Sequence, residues 1–368
     1  MGDIMHGIIS RALYSFPFRL ALSVFLAGAL FPAQKIIENP ERPPAKNAGR
    51  VLKLAEVWRI EDARDDFFFK YPHSLQNADD GSIFIADDEQ LLKFSPDGKF
   101  LKNLYKKGQG PGEIEGNLFF FLHGKDVFVQ DLNSWRLWRT DQDGVFLEEF
   151  NFRGAADRWL LGITPNNEFL FLKRVWPPPN ERTGKFMEIL HTVIALSRDG
   201  RSESQIATFR PRWFLMPQGA RSWDIWTSAL SQDPALLYVY SGRDYLIEAV
   251  DLAAGRIVKR FQRSYPKVPH IEQEWERNFQ KKYGAPPIEY DSDIINLHVD
   301  GSRLWVETSA LDKAKGRLFD VFDAEGRYID CFFLGAGRTL MNVRNDVLFA
   351  LEKNEDESFR VVKYKIEV

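Results

Sequence analysis

Short apolar stretches, some strictly alternating with polar residues and some apolar throughout, recur along most of the chain, and pairs of them flank tight glycine turns. The turns are Pro96-Asp97-Gly98-Lys99, Gln142-Asp143-Gly144-Val145, Arg198-Asp199-Gly200-Arg201, Ala253-Ala254-Gly255-Arg256 and Ala324-Glu325-Gly326-Arg327. Glycine supplies the positive φ that a tight strand-to-strand turn requires, so each turn predicts a β-hairpin. The turns recur every roughly 45 to 70 residues, near the period of a four-stranded repeat unit, with insertions accounting for the excess. The pattern predicts an all-β fold, a six-bladed β-propeller.

With strands labelled a to d from the axis outward, the first blade is predicted over 73–78, 83–87, 90–95 and 99–105, and the second over 118–123, 126–130, 135–140 and 145–152. The third spans 159–209, the fourth 224–261 and the fifth 293–333. The sixth has only three strands, over 340–344, 346–352 and 359–368. Residues 51–60 form an otherwise unassigned strand of the right length. They are expected to join the C-terminal blade and close the ring, which removes an exposed sheet edge.

Residues 1–33 read as an export signal. Arg11 and Arg19 precede an apolar run over 20–31, and Ala27 and Ala29 offer a small-residue cleavage pattern, with cleavage expected after Ala29 or Ala33. The run is short for a membrane span, so membrane contact is expected only if the segment stays uncleaved, and the expected location is periplasmic or extracellular. Residues 34–49, with Pro40, Pro43 and Pro44, are expected to be a disordered lead, and 50–368 the propeller.

Composition narrows the function. Aromatics make up 14% of the 368 residues, which suits pleated, half-buried strands. A formal net charge of -3 gives no overall electrostatic case for nucleic acid. The single cysteine, Cys331, sits in an apolar strand and is expected to pack as a buried thiol; no intrachain disulfide framework is available.

Asp79-Asp80-Gly81-Ser82-Ile83-Phe84-Ile85-Ala86-Asp87, followed by Leu92-Lys93-Phe94-Ser95-Pro96-Asp97-Gly98-Lys99-Phe100, resembles an NHL-type repeat. Gly108-Gln109-Gly110-Pro111-Gly112-Glu113-Ile114 resembles the glycine-rich link between blades in bacterial exported six-bladed propeller proteins. The resemblance is good over residues 70–150 and weak beyond. It implies a six-bladed propeller with binding-type roles and transfers no catalytic residue. The repeat's aspartate is matched by Asp87 and Asp131, expected to accept backbone hydrogen bonds in b-to-c turns, while later blades carry Lys173, Ser241 and Glu307 at about that position.

In such blades the a-to-b and c-to-d turns emerge on one face, and the b-to-c loops and d-to-a links on the other. All the long segments here are of the second kind: 174–185, 210–222, 262–292 and, more modestly, 309–315. Insertions gathered on one face of a rigid scaffold predict a binding surface. The longest carries an expected helix within about 263–292, with Ile271, Trp275, Phe279 and Tyr283 on one stripe and Gly284 and Pro286 ending it. Candidate ligand-binding residues are Trp176, Arg212, Trp213, Arg221 and Trp223, whose indoles and guanidiniums suit recognition, together with His73 at the head of the first inner strand.

No glycine-rich phosphate loop, no Gly-x-Ser-x-Gly elbow and no close histidine pair is present. The sequence therefore assigns no catalytic, metal or cofactor residue. The leading reading is an exported, non-catalytic binding or scaffold propeller recognising a protein, peptide or glycan on its long-loop face. The alternative is a calcium- or zinc-dependent hydrolase or lyase, resembling lactonase-type propellers, with its site in the central channel. A third is a structural component of an envelope assembly.

Overall fold

Asp97-Gly98 turns the chain with glycine at φ 82°, and on either side of it Gln90–Phe94 pairs antiparallel with Phe100–Asn103. The same construction repeats through a computed structural model that describes residues 35–367 apart from 63–65, 151, 153–156, 183–184 and 234; the export signal expected over 1–33 lies outside the described residues. The first sheet orders Pro72–Asn77, Ile83–Asp87, Gln90–Phe94 and Phe100–Asn103, and the second Leu118–His123, Asp126–Asp131, Leu137–Asp141 and Phe146–Phe150. The third is Arg158–Ile163, Phe169–Val175, Leu190–Leu196 and Glu203–Phe209. The fourth contains Ile225–Gln232, Ala235–Gly242, Ile247–Asp251 and Arg256–Arg263. The fifth contains Ile294–Asp300, Arg303–Asp312, Gly316–Phe322 and Tyr328–Phe333, and the sixth Arg338–Arg344, Val347–Lys353 and Phe359–Ile366. The protein is all-β and propeller-type, a series of small antiparallel meanders.

The apolar faces of successive sheets pack on one another. Phe84 and Leu91 of the first sheet share a cluster with Leu118 and Val127 of the second. Phe128 joins Phe169 and Ile194, Leu172 and Val193 join Leu237 and Val239, and Tyr240 and Ile247 join Ile294 and Phe322. Trp305 and Phe319 then pack with Leu348 and Val362, and Phe349 and Val361 of the sixth sheet pack with Ile85 and Phe94 of the first. Middle strands carry this burial: all five residues of Ile83–Asp87 are buried, whereas Phe100–Asn103 is largely exposed. Innermost strands are tied side by side. Gln76 donates to Phe120 O (2.9 Å) and accepts from Leu122 N (2.9 Å), and the Thr227 hydroxyl donates to Asn296 Oδ1 (2.8 Å).

Two expectations about the N-terminal segment need correction. The lead over 34–49 is not structureless, because Ile36–Asn39 runs parallel to Arg256–Arg263 as a fifth strand of the fourth sheet. The Asn39 side chain holds it there, donating to Gln262 O and Gly326 O (3.0 Å each) and accepting from Tyr328 N (2.9 Å). The prolines that suggested disorder follow this strand rather than interrupt it. The strand expected over 51–60 is split as well. Arg50–Val51 pairs parallel with Tyr328–Phe333 of the fifth sheet, helped by a bidentate Arg50–Asp330 pair (3.0 and 2.9 Å), and only Leu54–Ile60 pairs antiparallel with Phe359–Ile366 of the sixth. The segment thus crosses the outer edges of three consecutive sheets.

The expected loop over 309–315 is instead largely a hairpin extension of Arg303–Asp312 and Gly316–Phe322. At its return Gly316 has φ +84°, and a Cβ there would lie 2.2 Å from Gly335 O, so only glycine fits.

Candidate functional site

In the first two sheets the long-loop end is set by the carboxylates that finish the second strand. Buried Asp87 accepts from the backbone N–H groups of Lys70 (2.9 Å) and Tyr71, and burial keeps its pKa above the usual range despite those bonds. In the second sheet Asp131 accepts from Glu115 N and Asn133 N (2.9 Å each). Asp131 thus serves both the entering link and the b-to-c turn expected for it, whereas the backbone donors to Asp87 lie in the entering link rather than in the expected b-to-c turn.

Above the third to fifth sheets the insertions fold into a module of their own. Phe186–Glu188, Arg212–Met216 and Gly219–Ser222 form a three-stranded sheet, and Glu274–Tyr283 is a helix. Glu276 starts the helix by accepting from Gln273 N (2.8 Å), and Gly284, at φ 68°, ends it in the left-handed conformation. His270 braces the start, its ring lying 2.6 Å from Asp291 Oδ1 and 2.9 Å from Glu276 Oε2. Burial opposes the charged ring, but these two hydrogen bonds outweigh it and hold the His270 pKa above the ordinary histidine value. Lys185 Nζ donates to Gly284 O (3.0 Å), and Phe279 packs edge-on to Phe214 (5.9 Å), so helix and small sheet are joined. Of the expected helical stripe, Ile271 precedes the helix and is 78% exposed, Trp275 is half exposed, and Phe279 is the residue that packs.

The module takes up five of the six sequence-predicted site residues. Trp213 is 9% exposed, packed with Met187 and Ile189, and its ring meets Trp176 edge-on at 5.6 Å. Trp176 is half-buried and, with Arg182, Met187, Met216, Pro217 and Ala220, lines an open groove of about 680 Å³. Arg221 lies over the rings of Trp275 (4.4 Å) and Phe279 (5.0 Å) beside a small cavity of about 60 Å³. Trp223 stacks edge-on against Phe186 (5.0 Å). Arg212 is bound to Asp224, with Nη2 to Oδ1 at 2.8 Å and Nε to Oδ2 at 3.0 Å, and this carboxylate holds the guanidinium above its usual pKa. His73 stands apart: it is exposed, with Nδ1 3.2 Å from Tyr71 O, on the first sheet.

A second group of residues on the same end escaped the sequence reading. Trp159, Arg174, His191 and Trp226 lie on the facing sides of the third and fourth sheets, just below the module. Arg174 and His191 are cross-strand partners. The Arg174 guanidinium lies 3.7 Å from the Trp159 ring centre and 5.2 Å from that of Trp213, and Trp135 meets Trp159 edge-on at 4.9 Å. Trp135 itself has φ 59°, a strained conformation for a bulky residue, held at a b-to-c turn. His191 is 1% exposed, lies between Trp226 (5.1 Å) and Trp213 (6.3 Å), and neither ring nitrogen has a hydrogen-bond partner. Burial first, and then the Arg174 charge, push its pKa down to about 3, so it is neutral at physiological pH. These residues sit on separate strands with no local motif; only the half-buried indoles could have pointed to them.

The donors expected for a channel metal are not assembled. Among the described residues no group of three or more His, Cys, Asp or Glu side chains is placed to hold a metal ion. The polar side chains between inner strands, Gln76, Thr227, Asn296 and Asn342, are bonded across to neighbouring sheets. Among the described residues no helix is long and apolar enough to cross a membrane.

No family model and no curated relative matches the chain. Solved structures do. An inferred exported protein of Bacteroides fragilis aligns with a TM-score of 0.55 at 13% identity, covering 91% of this chain and 100% of that one. A member of the DUF4221 family from Bacteroides vulgatus aligns with a TM-score of 0.52 at 12% identity, covering 88% and 99%. At such low identity, over nearly the whole of both chains, what this protein shares with them is the fold.

Proposed function

We propose that the protein is an exported six-bladed propeller, closed into a ring by Leu54–Ile60, that binds a protein, peptide or glycan on its long-loop face rather than transforming a substrate. Six meanders whose apolar clusters run from first sheet to sixth and back to the first support the closed ring. So does a cavity of about 470 Å³ lined by the short turns of five sheets, among them Asp79, His123, Gln232, Gly301 and Arg344.

One observation carries the binding reading. The insertions of three adjacent sheets form a packed module that presents half-buried indoles and guanidiniums on a rigid base, the residue types that dominate recognition surfaces. The carboxylates around it are already engaged: Asp224 by Arg212, Asp293 by Lys267, and Glu276 and Asp291 by His270. The face therefore offers contact more than proton transfer.

The test is an array of glycans and peptides probed with purified protein. Binding that is lost on reshaping the groove by Trp176→Ala with Arg182→Ala, and kept in a variant of the short-turn face such as Asp79→Lys with His123→Ala, supports the reading. Binding that follows the short-turn substitutions overturns it.

A further inference from the structure

The end of the third sheet holds a cation without an acid. Arg174 is half-buried, and among the described residues no carboxylate makes an ion pair or hydrogen bond with its guanidinium. Asp157, the one acid whose charge it feels, makes no ion pair with it, and burial lowers the Arg174 pKa. A buried charge is ordinarily paired, because taking it out of water is costly. Its Nε is buried with no partner, and beside it Trp213 Nε1 and both nitrogens of His191 are in the same condition. Unsatisfied buried polar atoms are rare enough that a group of them calls for a cause. Arg174 Nε and Trp213 Nε1 can only donate, and neutral His191 adds one further N–H. A donor-rich set of this kind is complemented by a group that only accepts, an oxyanion.

The surroundings narrow the ligand further. Trp159, under the guanidinium, and Trp226, against His191, are both half-buried, so parts of two indoles remain uncovered next to the charge. Flat aromatic faces take the C–H edges of a ring.

We propose that Arg174 is the anion-binding residue of a site for an acidic saccharide, its guanidinium receiving the sugar carboxylate while the ring packs on Trp159 and Trp226. The proposal rests on the binding reading of the long-loop face and names one ligand class for it. It places that ligand below the module rather than in the Trp176 groove.

The test is a titration of the purified protein with D-glucuronate, followed by tryptophan fluorescence, with D-glucose and acetate in parallel. D-glucuronate is expected to saturate the signal at least tenfold more tightly than either control. Arg174→Met is expected to weaken it at least tenfold while the thermal midpoint stays level or rises, since an unpaired charge has been removed; Arg174→Lys keeps the charge and is expected to retain part of the affinity. Equal response to D-glucose and D-glucuronate, unchanged binding in Arg174→Met, or a lowered midpoint in that variant would overturn the proposal, the last by making Arg174 a packing residue. A crystal soaked in D-glucuronate with only water bridging Arg174, His191 and Trp213 would do so too. If D-glucuronate fails here while the array finds a partner lost with Trp176 and Arg182, this site is wrong and the wider reading stands.

Discussion

Arg263 and Asp320, on the fourth and fifth sheets, form a two-pronged ion pair of 2.7 and 3.1 Å with side chains 3% and 0% exposed. The hydroxyls of Tyr245 and Tyr328 each donate to the same carboxylate at 2.7 Å, and Arg263 lies near the rings of Tyr245, Tyr265 and Tyr328. The contact joins two sheets at a point that water does not reach. Asp320→Ala would strand a buried guanidinium, with an expected loss of roughly 3–5 kcal/mol. Arg263→Met combined with Asp320→Leu removes both charges and is expected to recover most of that loss. Urea unfolding of the three proteins checks the ordering.

Asn39 links the N-terminal strand to two sheets through three hydrogen bonds. Asn39→Ala is expected to cost about 2 kcal/mol, because two carbonyls and one N–H lose a partner. Hydrogen exchange should then localise the loosening to Ile36–Asn39 and the outer strands Arg256–Arg263 and Tyr328–Phe333. Uniform exchange across all sheets would contradict this.

Two histidines give opposite pH dependences. The raised pKa of His270 means that the folded state holds its proton more tightly than the unfolded chain. Its contribution is full below the unfolded value of about 6.5 and is lost as pH rises through the folded value. His191, lowered to about 3, contributes above about pH 6.5 and loses that contribution as pH falls toward 3. His270→Gln should flatten the alkaline loss, read as amide exchange in Glu274–Tyr283. His191→Phe should flatten the acid loss, read as the urea midpoint.

Trp213 and Trp176 touch but differ in burial, and their substitutions should separate. Trp213→Ala empties a packed position and is expected to cost roughly 3–5 kcal/mol. Trp176→Ala, on the open groove, is expected to cost about 1 kcal/mol and to act chiefly on ligand binding. Thermal melts of both, set beside array binding, distinguish packing from recognition.

The fold was most legible where structure is local. The Asp-Gly turns marked the hairpins, and Asp87 and Asp131 ended their strands as bonded carboxylates should. Legibility failed where the partner is remote: nothing near Ile36–Asn39 in the sequence announces Arg256–Arg263, and prolines in the same stretch argued for disorder. For the site, composition drew attention to the aromatic loop around Trp213 and Trp223. Arg174 and His191 stayed hidden because a strand residue looks alike whether its neighbour across the gap between sheets is a leucine or an unpaired indole.

The N-terminal segment also sets an order of events. Its register joins Ile36 to Arg260, Arg50 to Phe332 and Leu54 to Ile366, so residues synthesised early wait for partners made near the end. Contacts so distant along the chain slow folding, and the outer edge of each of the last three sheets stays open until the N-terminal segment docks on it. Refolding should therefore end in a slow phase in which the first-made strands dock last, and a chain cut short before Phe359 should gain no native edge for Leu54–Ile60.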